Sequence, residues 1–290
     1  MRDISASILA HPPLIPKHEI LYYEAFWAKT VGVTLKRLAE DLQGNLPSFF
    51  EQSIPQALKD EIQDFLKNVE FDKLNVLIQG MADYPQKLQP LGIPLLYFVG
   101  DIGLIESRSV SIVGARKATE RGLHAARVMA NSLSQVDITV VSGLAAGIDT
   151  AAHRETIQAG GKTIGVIGTP INHVYPRENV GLQEEIARKH LLISHIPFFK
   201  YSQQDYRSNR GFFPERNKVM AALSEATIIA EASDTSGSLI QAREAMRLGK
   251  KVIILKPSYD NPKLTWPKTY HKRGAYVAET ATEVKQILGV

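Results

Sequence analysis

The chain contains no cysteine. That excludes disulfides, thiolate metal sites and a cysteine nucleophile, and makes the cytoplasm the expected location. No apolar run approaches the ~18 residues that span a bilayer, so no membrane partner is expected. The N-terminus, MRDISASILAHPPLIPKHEI, lacks a charged start followed by an apolar stretch and does not read as a signal peptide. No spacing of His, Asp and Glu matches a metal site, and neither a metal nor a cofactor is expected. Repeats and low-complexity tracts are missing too. What is present is a globular composition: 290 residues, 44% hydrophobic and 22% charged, enough for one large or two ordinary domains.

The net charge is +4, unevenly spread. Residues 1–70 hold 7 Lys/Arg against 10 Asp/Glu, and the remainder 27 against 20, so the first part is −3 and the rest +7. The basic excess favours a polyanionic ligand, although many cytosolic enzymes have a similar balance.

In chain order, residues 1–16 are proline-rich and aperiodic, an arm or an extended lead. Helical patterning follows to residue 70. Leu21, Tyr22, Ala25, Phe26 and Ala28 suit one helix and Thr34–Leu42 a second; Ser53–Val69 suits a third, with Ser53 as N-cap and Gln56 closing a capping box. This region carries no convergent polar groups and reads as a packing or partner-binding module. From residue 71 the character changes. Strands are expected at 74–78, 95–99, 110–113, 138–141, 163–167, 191–194, 226–230 and 251–255. Helices fall between the later ones, at 181–189, 216–223 and 239–248 and after Glu120 and Asp149. The expected fold is an extended Rossmann-like α/β domain over 71–290, with a mostly parallel sheet covered by helices on both faces.

Two copies of one arrangement stand out between Val110 and His153: an apolar strand, a turn of small residues, then a helix. The first turn is Gly114-Ala115-Arg116 and the second Ser142-Gly143. Small residues let backbone N–H groups approach a ligand, and a helix N-terminus adds partial positive charge. Side by side at strand carboxyl ends they describe a phosphate-binding crevice; taken singly, they only permit tight turns. Thr169 and Glu231 end other strands and share that rim.

Thr235-Ser236-Gly237-Ser238 opens a helix and offers an anion site, with Ser236 or Ser238 also suited to capping. Arg207, Arg210, Arg216 and Lys218 surround Phe212 and Phe213, a pattern that suits single-stranded nucleic acid or, more plainly, a solvated loop. Asp149 and His153 lie four apart on a helix, either as an acid/base unit or as a structural pair. No nucleophile accompanies them, so catalysis is not expected.

Several collinear segments resemble the DNA-processing protein A (Smf) family: SIVGARKATERG, VVSGLAAGIDTAAH, TIGVIGTPINHVYPREN, LLISHIPF, FFPERNKVMAALSEATIIAEASDTSGSLIQAREAMRLGKKVIIL and HKRGAYV, within residues 82–278. The resemblance implies a non-enzymatic Rossmann-like protein that binds single-stranded DNA, serves transformation and DNA recombination, and helps load a RecA-type recombinase. Carried over by position, its phosphate pocket is Gly114, Arg116, Ser142, Gly143, Arg216, Asn217, Gly237 and Ser238; Arg207, Arg210 and Lys218 join them from the basic segment. Ala115, Pro170, His195 and Glu215 depart from the family's usual residues, and no winged-helix domain is expected after Val290. Partners expected are single-stranded DNA, the recombinase and a second copy of the chain in a homodimer. The alternative is a nucleotide-binding sensor or a nucleoside-monophosphate glycosidase-like protein of the wider fold superfamily, with Glu231 in its crevice but without the PGGxGTxxE motif.

Overall fold

The computed structural model describes residues 17–29 and 34–290. The proline-rich lead expected at 1–16 lies outside them. Among the described residues nine strands form one sheet: β1 (Asn75–Ile78), β2 (Leu95–Gly100), β3 (Ser109–Gly114), β4 (Thr139–Ser142), β5 (Thr163–Val166), β6 (Leu191–Ser194), β7 (Ala226–Glu231), β8 (Lys251–Leu255) and β9 (Tyr276–Ala278). Their spatial order is β1-β2-β6-β5-β4-β3-β7-β8-β9. From β6 to β9 every pairing is parallel, while β2 runs antiparallel to both β6 and β1.

The inner strands are β-branched runs because both of their faces are covered. Alternate side chains go to opposite sides. Val110, Ile112, Val140, Ile228 and Ile253 pack beneath helices α4 (Glu120–Ser134) and α5 (Ile148–Gln158) through Met129, Leu133 and Ile148. Val113, Val141, Ile229 and Ile254 point the other way, into a larger cluster with Val219 and Met220.

That larger cluster also takes in the helical N-terminal residues. Helix α1 (Lys17–Lys29) buries Ile20, Tyr23 and Trp27 completely, and α2 (Leu35–Leu42) buries Leu35, Leu38 and Leu42. Thr34 caps α2, its Oγ1 accepting from Arg37 N at 3.2 Å. Burying Glu24 costs desolvation, offset by Tyr97 Oη, Phe198 N and Phe199 N, which donate to its carboxylate at 2.7–2.9 Å. Burial still pushes this carboxyl up to about 7.

Some expected boundaries shift. Helix α3 spans Gln56–Leu66, with Pro55 at its N-cap and no capping side chain. Ser53 ends the preceding 3-10 turn (Pro47–Ser53), its hydroxyl donating to Phe50 O, so the expected capping box does not form. Helix α6 is Val180–Lys189, and β6 leads to α7 (Phe198–Gln203) and α8 (Tyr206–Asn209). Helix α9 runs Phe212–Leu223, four residues earlier than expected at its start. Pro214 is tolerated there because a first turn has no N–H partners to lose. Helices α10 (Ser238–Arg247), α11 (Lys256–Tyr259), α12 (Trp266–Lys272) and α13 (Ala281–Leu288) complete the chain. The short elements α7, α8, α11, α12 and β9 hold too few residues to show a period.

Candidate nucleic-acid interface

The sheet order reverses at β3. The chain moves outward through β4, β5 and β6, then returns to place β7 on the other side of β3. Beyond the carboxyl ends of β3 and β7, where such a reversal opens a gap, lies a crevice of about 830 Å³. Residues 114–122 form one wall and 230–238 the facing one, and α9 contributes Phe213, Arg216 and Asn217.

Gly114 is required for close packing. A methyl built on it would meet Glu231 O at 2.6 Å and the Ile148 side chain, and the register between β3 and β7 slips at this point. Ala115 N donates to Glu231 O at 2.7 Å, locking the turn against the neighbouring strand. Arg116 emerges from this turn exposed, its guanidinium carbon 5.2 Å from the Phe213 ring centre. Glu231 takes Thr119 N at 3.0 Å and the Thr119 hydroxyl, and so supports the start of α4.

The opposite wall is the start of α10. Gly237 occupies its N-cap without a side-chain cap bond; the Ser236 and Ser238 hydroxyls bond to one another at 2.6 Å. The expected serine cap is therefore not the arrangement found, and the dipole of a ten-residue helix opens on the crevice. Asn217 ties the two parts together, its Nδ2 donating to Gly237 O at 3.0 Å and its Oδ1 accepting from Arg216 Nε at 3.0 Å.

Five cationic residues line the crevice (Arg116, Lys117, Arg121, Arg210 and Arg216) against two acidic ones, Asp149 and Glu231. Both acids are engaged by backbone donors: Gly143 N reaches Asp149 Oδ2 at 3.1 Å, and Thr119 N holds Glu231. The field inside is positive. Burial raises the Asp149 carboxyl, with the Arg216 charge opposing that rise.

The other expected site residues are placed differently. Ser142 is fully buried, its Oγ donating to Ile112 O at 2.7 Å, and it faces the sheet rather than the crevice. Gly143 lines a smaller recess of about 50 Å³, shared with Gly168, Tyr175 and Phe213. A side chain at Gly143 would overlap the Arg216 guanidinium. Arg216 itself is 4% exposed, with Nη1 donating to Gly143 O and, at 2.6 Å, to Val166 O. Burial lowers its pKa to about 10, which leaves it charged at neutral pH. It lines the crevice while holding the ends of two strands together. Lys218 pairs with Glu215 at 2.8 Å and does not line the crevice. Arg207 lies on α8, exposed and outside it, whereas Arg210 lines it. Thr169 donates to His173 O at 2.9 Å within its own loop. Asp149 and His153 serve different partners, Gly143 N and, at 2.7 Å, Thr163 Oγ1, so the two are not joined as the pair their spacing suggests.

The basic segment 207–218 is largely helical, and Phe212 is buried against Trp27 and Tyr201. Phe213 alone of the two rings reaches the site. Lys117 and Arg121 were missed in the sequence reading, although they flank the first small-residue turn in ARKATERG.

An open, mostly parallel sheet with an anion-receptive crevice at its switch point defines a Rossmann-like ligand-binding protein. The profile of the family described as DNA recombination-mediator protein A matches residues 75–289, and the chain belongs to that family. It is 32% identical over 238 residues to DNA processing protein DprA of Bacillus subtilis, covering 79% of this chain and 78% of that one. The fold superposes on DNA processing protein A from Streptococcus pneumoniae with a TM-score of 0.69 and 29% identity over 93% of this chain and 92% of that one. It also matches DNA processing protein A from Helicobacter pylori, a protein described by its unique single-stranded DNA binding mode, with a TM-score of 0.63 and 27% identity over 74% of this chain and 95% of that one.

Proposed function

We propose that this chain binds single-stranded DNA without chemical conversion, holding a phosphate of the strand in the crevice at the β3–β7 switch point. One observation carries the reading: exposed Arg116 and Arg210, the start of α10 and the Phe213 ring meet in one cavity whose two acids are already engaged. Phosphate contacts from arginine and from helix N-termini carry no base information, so the binding is largely indifferent to sequence. The family membership and the single-stranded DNA binding of the Helicobacter relative support the same reading.

In this role the chain serves DNA uptake and recombination in the cytoplasm, handing the strand to a RecA-type recombinase, and acts as a homodimer. The DNA contacts fall to the α/β part, residues 71–290, while the described helices α1 and α2 of the N-terminal region pack into its larger core cluster. Titration of a labelled oligonucleotide at several salt concentrations, against a mononucleotide competitor, tests the reading. The logarithm of affinity is expected to fall linearly with the logarithm of salt. A flat line, or a mononucleotide as tight as the oligonucleotide, would contradict it.

A further inference from the structure

A file of three rings leaves the crevice and runs onto the open surface. The Phe213 and Tyr175 centroids lie 5.7 Å apart and those of Tyr175 and Tyr206 6.4 Å, with planes tilted by 47° and 53°. Exposure grows along the file. Phe213 and Tyr175 are half-buried, and Tyr206 is 60% exposed. An isolated exposed tyrosine needs no explanation. Here, however, the exposed ring is tied to the inner ones: the Tyr175 and Tyr206 hydroxyls lie 3.2 Å apart and share a hydrogen bond. That bond and burial both raise the Tyr175 phenol, which stays neutral and does not repel a phosphate.

The backbone under both tyrosines is braced. In the loop before Tyr175, the Thr169 hydroxyl and Gln183 Nε2 both donate to His173 O, at 2.9 and 3.2 Å. Tyr206 opens α8, where Asp205 Oδ1 accepts from Ser208 N at 2.8 Å and Asn209 Nδ2 donates to Tyr201 O at 3.0 Å. Rings fixed in this way lose little freedom when a flat ligand covers them. Cations accompany the file: Arg116 at Phe213 on the inner end, Arg210 close enough for its charge to act on Tyr175, and exposed Arg207 beside Tyr206 in sequence on the outer end. Ring faces interleaved with guanidinium groups fit a polyanion with unpaired bases. A duplex offers no free base faces along its length.

The geometry points to a stacking lane in which Tyr175 and Tyr206 take the bases of a single strand leaving the crevice, while Arg210 and Arg207 take its phosphates. This assignment rests on the crevice being a strand-binding site and extends it by naming where the neighbouring nucleotides go. A mononucleotide in the crevice has no use for Tyr206.

The test compares the unaltered protein with Tyr206→Ala and Tyr206→Phe on oligo-dT of increasing length. For long oligomers Tyr206→Ala is expected to weaken binding by about 5- to 150-fold, the range for loss of one stacked base. Tyr206→Phe keeps the ring and is expected to retain most of that affinity. For the shortest oligomer, confined to the crevice, all three proteins should bind alike. Equal affinity of Tyr206→Ala and the unaltered protein at every length would overturn the lane while leaving the crevice reading intact. Equal losses in the Ala and Phe variants would also overturn it, by making the hydroxyl bond and not the ring face the cause. An unaltered protein that binds no oligomer would remove the crevice reading and the lane together.

Discussion

The Arg116 guanidinium lies over the Phe213 ring, 5.2 Å from its centre, and Arg216 approaches the same ring to 5.9 Å. The ring thus stands between an arginine in solvent and an arginine in the interior, and the two do different things. Arg116 is exposed and its pairing with the ring leaves its N–H donors available. Arg116→Ala is expected to weaken single-stranded DNA binding about tenfold, ~1.4 kcal/mol, and to lower the slope of the salt dependence by about 1. The unfolding temperature should not change. A folded variant with unchanged affinity would take Arg116 out of the site.

Arg216 is expected to behave in the opposite way. Removing it leaves the carbonyls of Gly143 and Val166 without this donor, and takes from buried Asp149 the cation that most favours its ionised form. Arg216→Ala should cost about 3–5 kcal/mol of stability, the range for breaking a buried charge arrangement. Gly143→Ala should also destabilise, because the added methyl overlaps the same guanidinium. Urea unfolding measures both. An Arg216→Ala protein as stable as its parent, with only DNA affinity lost, would make Arg216 a ligand contact rather than a strut.

The difference between these arginines shows what was legible in the sequence. The parallel sheet was, because Val110, Ile112 and Val113, then Val140–Val141 and Ile228–Ile229, give short segments rich in β-branched residues and closed by small ones. The first of the two small-residue turns, at Gly114, does line the crevice, but the second, Ser142-Gly143, does not; the facing wall is the start of α10 at Gly237, which the sequence offered only as a separate anion site. Exposure did not follow. Arg116 and Arg216 carry the same group, and only the packing of α9 over Gly143 decides that one is buried. Phe212 and Phe213 are adjacent, yet the helical start of α9 sends the first into the core and the second to the crevice. Tyr175 and Tyr206 are 31 positions apart, and no local pattern announces that they share a hydrogen bond.

His195 is fully buried and neither ring nitrogen has a hydrogen-bond partner among the described residues. Burial pushes its pKa down to about 3, with the Arg216 and Lys218 charges adding to the shift. Between an unfolded value of about 6.5 and that folded value, the unfolded chain binds a proton that the native chain refuses. The neutral ring therefore contributes stability above pH 6.5 that is lost as the pH falls toward 3. His195→Leu is expected to flatten the acid side of the stability profile by up to about 1.4 kcal/mol per pH unit. Glu24, raised to about 7, runs the other way, so the comparison of variant with parent isolates the imidazole. Urea midpoints taken from neutral to mildly acid pH give the slope; an unchanged slope would mean that the ring is protonated in the folded protein.

The crevice is expected to release neither base nor phosphate from nucleoside monophosphates. Glu231, its acid beside the β7 end, is occupied by Thr119 N and the Thr119 hydroxyl at the start of α4. A carboxylate serving a helix start is poorly placed to move a proton on a ligand. Chromatography of nucleotides after long incubation checks this. Base release that disappears in Glu231→Gln would revive the glycosidase-like alternative.

Arg207 and Arg210 separate a strand from a single nucleotide more sharply than either crevice wall. Arg210 lines the cavity beside Phe213, whereas Arg207 sits on α8 outside it. A ligand with one phosphate in the crevice meets Arg210 but has no group to offer Arg207. A strand that continues past the mouth meets both. Arg210→Ala is therefore expected to weaken every ligand that binds, about tenfold (~1.4 kcal/mol). Arg207→Ala should weaken only oligonucleotides long enough to leave the crevice, lowering their salt slope by about 1 while mononucleotide binding stays unchanged. Fluorescence anisotropy with oligomers of graded length distinguishes the cases. Equal losses for mononucleotide and oligonucleotide on removing Arg207 would place that residue inside the pocket and contradict the strand geometry. No loss for any ligand on removing either arginine would make α8 and the start of α9 ordinary solvated surface, and would leave Arg116 and the start of α10 as the whole anion site.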